Sequence, residues 1–365
     1  MKLRCERDVL VDVLSTAGRA AAGRGGSLAV LSGVRLETSG PSLVATGTDL
    51  DLTISAETSV TGLHDGVAVA PGRLMTDIVR ALDPGAVTVE ADDEELRITS
   101  GRSVFSVRSY PAADFPRFPV ATGEAVAIPT QAFSESLRQV VRAASSEDSR
   151  PILTGVLMAA EEGGVRLVAT DSYRLAVRDL SGVGILAPDQ RVLVPSRALQ
   201  ELGRLLPAAG EVTMRLGAHD ATFATGAVTL TTRLIEGEFP NYRQLIPPSH
   251  PNRLMVGREA LLEAVRRVKL LARDQVTPVR IALAPEGIQL SVLTPDWGEA
   301  SEDVDANYEG AEMTVAFNPA YLIDGLEVVP GEEVVLSTID ALKPAILRSV
   351  EGGDFLYLLM PVRVS

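Results

Sequence analysis

The chain has 365 residues, one cysteine, and 48 acidic against 34 basic residues, a formal charge of −14. At about 150 residues per domain, that length allows two or three domains with buried cores. A lone cysteine, Cys5, excludes an intramolecular disulfide and a multi-cysteine metal site; the acid excess argues against a nucleic-acid binder that uses its whole surface; no run nears the ~18 apolar residues of a membrane helix. The charged start, Met1-Lys2-Leu3-Arg4, lacks the apolar run of a signal peptide, and a reducing, cytoplasmic location is expected.

Apolar spacing predicts a first helix over Glu6–Ala20. Gly23-Arg24-Gly25-Gly26-Ser27 reads as a turn before a strand at Leu28–Leu36, without the G-x-x-x-x-G-K-[ST] spacing of a phosphate loop. A shorter helix covers Gly72–Leu82. Strands Ala86–Glu90 and Leu96–Thr99 follow, joined by an acidic hairpin turn, Asp92-Asp93-Glu94-Glu95. A helix over Pro129–Ser145 repeats Phe133, Leu137, Val140 and Val141 at helical spacing. A strand spans Val165–Ala169, and a helix over Ser196–Pro207 takes Ser196 as its N-cap. Helices at Gly257–Arg273 and Asn318–Val328 and a strand at Val334–Ser337 complete the pattern. Helices on one side of antiparallel sheets make the fold α+β.

The elements recur with a period of about 120 residues. Leu31-Ser32-Gly33-Val34 returns as Leu153-Thr154-Gly155-Val156, and Ala45-Thr46-Gly47-Thr48-Asp49 as Val168-Ala169-Thr170-Asp171. Val69-Ala70-Pro71-Gly72-Arg73-Leu74 returns as Val194-Pro195-Ser196-Arg197-Ala198-Leu199, and Asp114-Phe115-Pro116 as Glu238-Phe239-Pro240. A weaker third copy runs through Val279–Leu283, Leu290–Thr294 and Val315–Pro319. Boundaries near Val120–Glu124 and Pro247–Asn252 give three domains, 1–121, 125–247 and 251–365, each built of two helix-plus-strands halves.

Catalytic signals are missing. His64, His219 and His250 lie far apart in loop-like contexts, no H-E-x-x-H, C-x-x-C or G-x-S-x-G spacing occurs, and no catalytic residue, metal or cofactor is expected. The arginines are more informative. The six helical segments hold 13 basic and 10 acidic residues, about +3, which leaves −17 for the rest of the chain. Arg73 and Arg80 share a helix face, and Arg197 and Arg204 repeat their spacing. Arg138 and Arg142 form a second stripe, and Arg266, Lys269 and Arg273 a third. Either these are solvated faces with local pairs such as Glu263–Arg267, or they are weakly basic faces that meet phosphates without reading bases.

These residues reach a known family. The chain resembles the bacterial DNA polymerase III beta subunit, the sliding clamp, along essentially its whole length. The resemblance rests on Glu6-Arg7-Asp8-Val9-Leu10, Thr48-Asp49-Leu50-Asp51, Tyr110–Pro116, Ala169–Val177, Gly237–Tyr242 and above all Tyr357-Leu358-Leu359-Met360-Pro361-Val362-Arg363-Val364. It implies a DNA-clamp fold and a head-to-tail homodimer closed into a ring, with helices lining the hole and duplex DNA passing through without sequence preference. The function implied is that of a processivity factor; the alternatives are a specialised or resistance paralogue, or an enzyme on the same repeated scaffold.

The resemblance also implies sites. A pocket for a short linear peptide from the replicative polymerase, the clamp loader, other polymerases and repair proteins would comprise Leu153, Thr170, Ser172, Tyr173, Arg174, Leu175, Pro240, Gln244, Leu245, Val276, Asn318, Tyr321, Leu342, Pro344, Leu358, Leu359, Met360, Pro361, Val362 and Arg363. Its apolar members would form a floor, with Asn318, Arg174 and Arg363 as polar handles; taken alone, Leu358–Val364 reads as a last core strand. Arg24 and Arg150 would join Arg73, Arg80, Arg138, Arg142, Arg197, Arg204, Arg266 and Lys269 on DNA. The dimer would pair an edge strand bearing Phe105 and Val107 with Leu270 and Leu271 of the other chain; otherwise these four are core. Ser172-Tyr173 stands where glycine and histidine are common, Gln244 where a basic residue is frequent, and Gly25-Gly26-Ser27 where prolines are.

Overall fold

The computed structural model describes residues 1–21, 28–116, 121–273 and 277–363. The first repeat holds β1 (Lys2–Glu6), α1 (Arg7–Gly18), β2 (Gly33–Ser39), β3 (Ser42–Thr48), β4 (Leu52–Ser59), β5 (Thr61–His64), β6 (Gly66–Pro71), α2 (Gly72–Ala81), β7 (Ala86–Ala91), β8 (Glu95–Ser100) and β9 (Ser103–Arg108). The second holds β10 (Ala125–Pro129), α3 (Thr130–Val140), β11 (Gly155–Glu161), β12 (Gly164–Thr170), β13 (Arg174–Ser181), β14 (Arg191–Pro195), α4 (Ser196–Leu205), β15 (Glu211–Leu216), β16 (Asp220–Thr225) and β17 (Val228–Arg233). The third holds β18 (Asn252–Gly257), α5 (Arg258–Val268), β19 (Val279–Ala284), β20 (Gly287–Thr294), β21 (Gly298–Val304), β22 (Ala306–Glu309), β23 (Met313–Phe317), α6 (Pro319–Leu326), β24 (Glu333–Thr338), β25 (Ala345–Ser349) and β26 (Phe355–Leu359). None of the described helices is long and apolar enough to cross a membrane.

Each helix forms because one stripe is apolar. In α1, Leu10, Val13, Leu14 and Ala17 are buried at helical spacing. That helix lies directly on β3: a Cβ on Gly47 would sit 2.1 Å from the Ala17 carbonyl oxygen, so only glycine fits there.

The two halves of each repeat are nested rather than consecutive. The strand ahead of the first helix pairs with a strand that follows the second: β1 with β7, β10 with β15, β18 with β24. Most strands between the two helices therefore belong to the second half, while β5 and β22 extend the first half's sheet beside β1 and β18. Repeats then join edge to edge. The last strand of one repeat's outer half pairs antiparallel with the third strand of the preceding repeat's inner half, β17 with β4 and β26 with β13.

This pairing divides the chain into two compact units, and the cut runs through the second repeat. One unit is Met1–Gln131 with Glu201–Leu234, and the other is Ala132–Gln200 with Ile235–Ser365. The first unit contains a 5-stranded sheet, β5-β1-β7-β8-β9, and an 8-stranded one, β10-β15-β16-β17-β4-β3-β2-β6. Its main core gathers Leu3, Leu10, Leu14, Met75, Val79, Val89 and Ile98. The second unit contains a 9-stranded sheet, β14-β11-β12-β13-β26-β25-β24-β18-β22, and a 4-stranded one, β21-β20-β19-β23.

The repeat anchors have local causes. In the β3–β4 turn, the Thr48 hydroxyl accepts from the Leu50 N–H and donates to the Leu52 carbonyl, while Asp49 accepts from the Asp51 and Leu52 N–H groups. Thr170 and Asp171 make the same four bonds after β12. Both turns carry a left-handed residue, Leu50 at φ 85° and Ser172 at φ 81°. Phe115 packs on Val30, Leu31 and Val69, and Phe239 packs in the corresponding cluster of the other unit.

Three local expectations change. The strand expected from Leu28 begins only at Gly33, after a 3-10 turn over Ala29–Ser32 that buries both Val30 and Leu31, which an alternating strand would not do. Ser196 is the first helical residue of α4 rather than the residue before it. His64 ends strand β5, exposed, instead of lying in a loop.

Candidate peptide groove and basic helix surface

The groove floor is a row of side chains across four strands. Thr170 of β12 faces Leu175 of β13, Leu175 faces Leu358 of β26, and Leu358 faces Ile346 of β25. Paired residues in a ladder share a sheet face, so the row is one surface. Val177, Tyr242 and Leu356 continue it, and Ile246, Phe239 and Met360 pack on it half-buried. Beyond β26, the Met360 N–H donates to the Tyr173 carbonyl at 2.8 Å, and the Val362 N–H donates to the Ala316 carbonyl at 2.7 Å. These two bonds lead the chain from the nine-stranded sheet to β23 of the four-stranded one.

Around this floor, Ser172, Tyr173, Pro240, Gln244, Leu245, Leu342 and Arg363 are exposed, and Pro344, Pro361 and Val362 are half-buried; Leu153 is buried. Val276 lies outside the described residues. Val177, Ile246 and Ile346 belong to the floor and were not expected there. The apolar run Ala345-Ile346-Leu347 marks a strand buried on both faces, and it does not by itself single out Ile346.

Two expected floor or handle residues lie elsewhere. Leu359 pairs with Arg174, one step out of phase with Leu175 and Leu358, so both point to the opposite sheet face. There Arg174 is no free handle. Its guanidinium binds Asp171 at 3.0 Å and Asp324, reaches the Tyr357 hydroxyl at 3.4 Å, and stacks 4.4 Å over the Tyr321 ring. Burial works against its charge, but Tyr357, Asp324 and Asp171 outweigh that and hold Arg174 above the ordinary guanidinium range. Burial also pushes the Tyr357 phenol up, and its hydroxyl donates to the Tyr321 carbonyl at 3.0 Å. Asn318 is likewise used internally, since its side chain caps α6 by accepting from the Ala320 N–H.

Tyr173 stacks on Tyr321 with centroids 6.4 Å apart. Both line a cavity of about 460 Å³ whose other walls include Glu147, Arg150, Asp171, Lys269, Arg273 and Asn318. Among the described residues, no group of three or more His, Cys, Asp or Glu could hold a metal ion.

Most arginines of the basic stripes are matched by acids. Arg73 and Arg80 each lie 3.9 Å from Asp77. Arg204 pairs with Glu201, which also takes Arg19 at 3.3 Å, and Arg197 is engaged too. Arg138 donates to the Glu327 carbonyl at 3.0 Å, Arg142 pairs with Glu327 and Asp324, and Arg266 sits between Glu263 at 2.6 Å and Glu327 at 2.7 Å. Arg150 pairs with Glu147 at 3.0 Å and donates to the Asp171 carbonyl and the Ser172 hydroxyl. Arg24 lies outside the described residues.

Comparison with known proteins decides the family. The models for the N-terminal, central and C-terminal domains of the DNA polymerase III beta subunit match residues 1–119, 127–241 and 243–363. The chain belongs to the DNA polymerase III beta subunit family. The beta sliding clamp of Proteus mirabilis is 32% identical over 369 residues, and that of Streptomyces coelicolor 31% over 385 residues, each covering 100% of both chains. The crystal structure of the Bacillus subtilis DNA polymerase sliding clamp superposes with a TM-score of 0.92 at 29% identity. The Pseudomonas aeruginosa clamp bound to griselimycin gives 0.91 at 29%; both cover 100% of each chain.

In this beta subunit, β9 is an edge strand. Phe105 on it is exposed, whereas Val107 is packed into the core of its own unit. Leu270 is 75% exposed and Leu271 half-buried, in the 3-10 turn that follows α5.

Proposed function

We propose that this beta subunit is a non-enzymatic DNA polymerase processivity factor, a head-to-tail dimer closed around duplex DNA, whose groove takes short peptides from polymerases, the clamp loader and repair proteins. The sheet-pairing rule carries the reading. Within the chain, β17 pairs with β4 and β26 with β13. The two strands left over by the same rule are β9 of the first repeat and β21 of the third, and both are edge strands. Pairing β9 of one chain with β21 of another satisfies both edges, and two copies close the cycle.

The flanking chemistry supports that pairing. Val104, Phe105, Leu270, Leu293 and Trp297 are exposed large apolar residues near those edges. Arg102 precedes β9 and Arg108 ends it, while Asp296, Glu299 and Asp303 flank or sit on β21. Arginines largely matched by acids suit a protein that must slide, because phosphate contacts carry no sequence information. Light scattering at micromolar concentration is expected to give twice the 38.6 kDa chain mass; a stable monomer would contradict the pairing.

A further inference from the structure

We propose that Glu327 is a built-in competitor for DNA phosphates, holding Arg142 just after α3 and Arg266 of α5 so that this surface grips the duplex only weakly. The proposal rests on the clamp reading above and adds what sets the strength of its DNA contact.

Glu327 caps the C-terminal end of α6. Its carboxylate takes Arg142 and Arg266, the latter at 2.7 Å, while its backbone carbonyl takes Arg138 at 3.0 Å. Three arginines, Arg138 of α3, Arg142 of the 3-10 turn that follows it and Arg266 of α5, all in one unit, converge on this residue. A carboxylate shared by two guanidinium groups presents the same planar, charge-assisted hydrogen-bond pattern as a phosphodiester.

The placement is hard to explain by stability. A negative charge at a helix C-terminus opposes the helix dipole, and the last turn of α6 carries no basic residue of its own. The side chains of Arg142, Arg266 and Glu327 are 47%, 42% and 29% exposed. Such pairs contribute little to folding, yet an incoming phosphate can reach them. Arg142 and then Arg266 hold the Glu327 carboxyl below the usual glutamate range, so it stays charged wherever the protein works. The arrangement recurs in the other unit, where Glu201 of α4 holds Arg204 and Arg19. A phosphate that engages these arginines must first displace a carboxylate, which lowers the number of net contacts at any instant.

Glu327→Gln tests this, because it removes the charge and keeps the size and the backbone acceptor. Binding to short linear duplex is measured across salt, and diffusion is followed along circular DNA after loading. The slope of log K against log salt is expected to steepen, by at most about 1.8 at ~0.9 for each of two arginines, because Asp324 stays beside Arg142 and Glu263 beside Arg266, with slower sliding. Adding Arg142→Ala and Arg266→Ala to Glu327→Gln should reverse both effects, with melting and dimer mass checked in parallel. An unchanged slope and diffusion, in a variant that melts normally and is retained on circular DNA, overturns the competitor role alone. If wild-type protein is lost equally from circular and linear DNA, the clamp reading fails and this inference with it.

Discussion

Arg174 is the best place to test the layer beneath the groove. Arg174→Ala removes a guanidinium whose side chain is 11% exposed and leaves the carboxylate of Asp171, at 10%, without its cation. Asp171 keeps two backbone donors, the Tyr173 and Arg174 N–H groups, and Asp324 keeps Arg142. Breaking a buried pair by removing one partner costs about 3–5 kcal/mol. The retained donors, and the 29% exposure of the Asp324 side chain, place this case at the lower end, about 3 kcal/mol. For a unit of this size each kcal/mol is worth roughly 2–4 °C, so calorimetry should show a fall of about 6–12 °C. Peptide affinity should fall too, because Tyr321 loses the cation stacked on its ring. Arg174→Lys should lie between, since it keeps the charge but not the fork. Combining Arg174→Ala with Asp171→Ala should cost less than the sum of the single changes. Strict additivity, or a midpoint within ~2 °C of wild type, would refute the buried clamp.

Further tests address the groove, the dimer and the core. Met360→Asp puts a charge on the apolar floor, so peptide binding by fluorescence polarisation should collapse while light scattering still gives a dimer; unchanged affinity would place the groove elsewhere. Phe105→Asp should shift the chain toward monomer without lowering its melting temperature much, since Phe105 is an exposed edge residue; an intact dimer would count against β9 as the interface. Burial pushes the Cys5 thiol up from 9.0 to about 11, so a thiol reagent at pH 8 should label the native chain far more slowly than the unfolded one. The sign follows: the unfolded thiol ionises first, so its contribution to stability is lost as pH rises from about 9 to about 11. Equal labelling rates would contradict the burial.

Much of the fold was legible because its signals are local. The six helices lie within the expected spans, and the Thr-Asp and Phe-Pro anchors mark a turn and a packing contact that each repeat must rebuild. The nesting of halves was not legible, since β1 and β7 are separated by a complete inner half and a ladder leaves no mark at that distance. The joins between repeats were hidden for the same reason. In the site, the apolar row was readable from strand patterning once its strands were paired. Leu359 was misplaced because a one-residue step along a strand reverses the face. The fate of the arginines was half legible: local pairs such as Glu201–Arg204 and Glu263–Arg267 follow from helical spacing, but Arg138 is 189 residues from its acceptor, and no helical spacing reports a partner on another element.

Retention on DNA tests the central claim most directly. After loading by a clamp loader, wild-type protein should stay on closed circular duplex through gel filtration at moderate salt and run off the same DNA once it is linearised. Equal loss from both forms, or equal retention on both, would contradict encirclement.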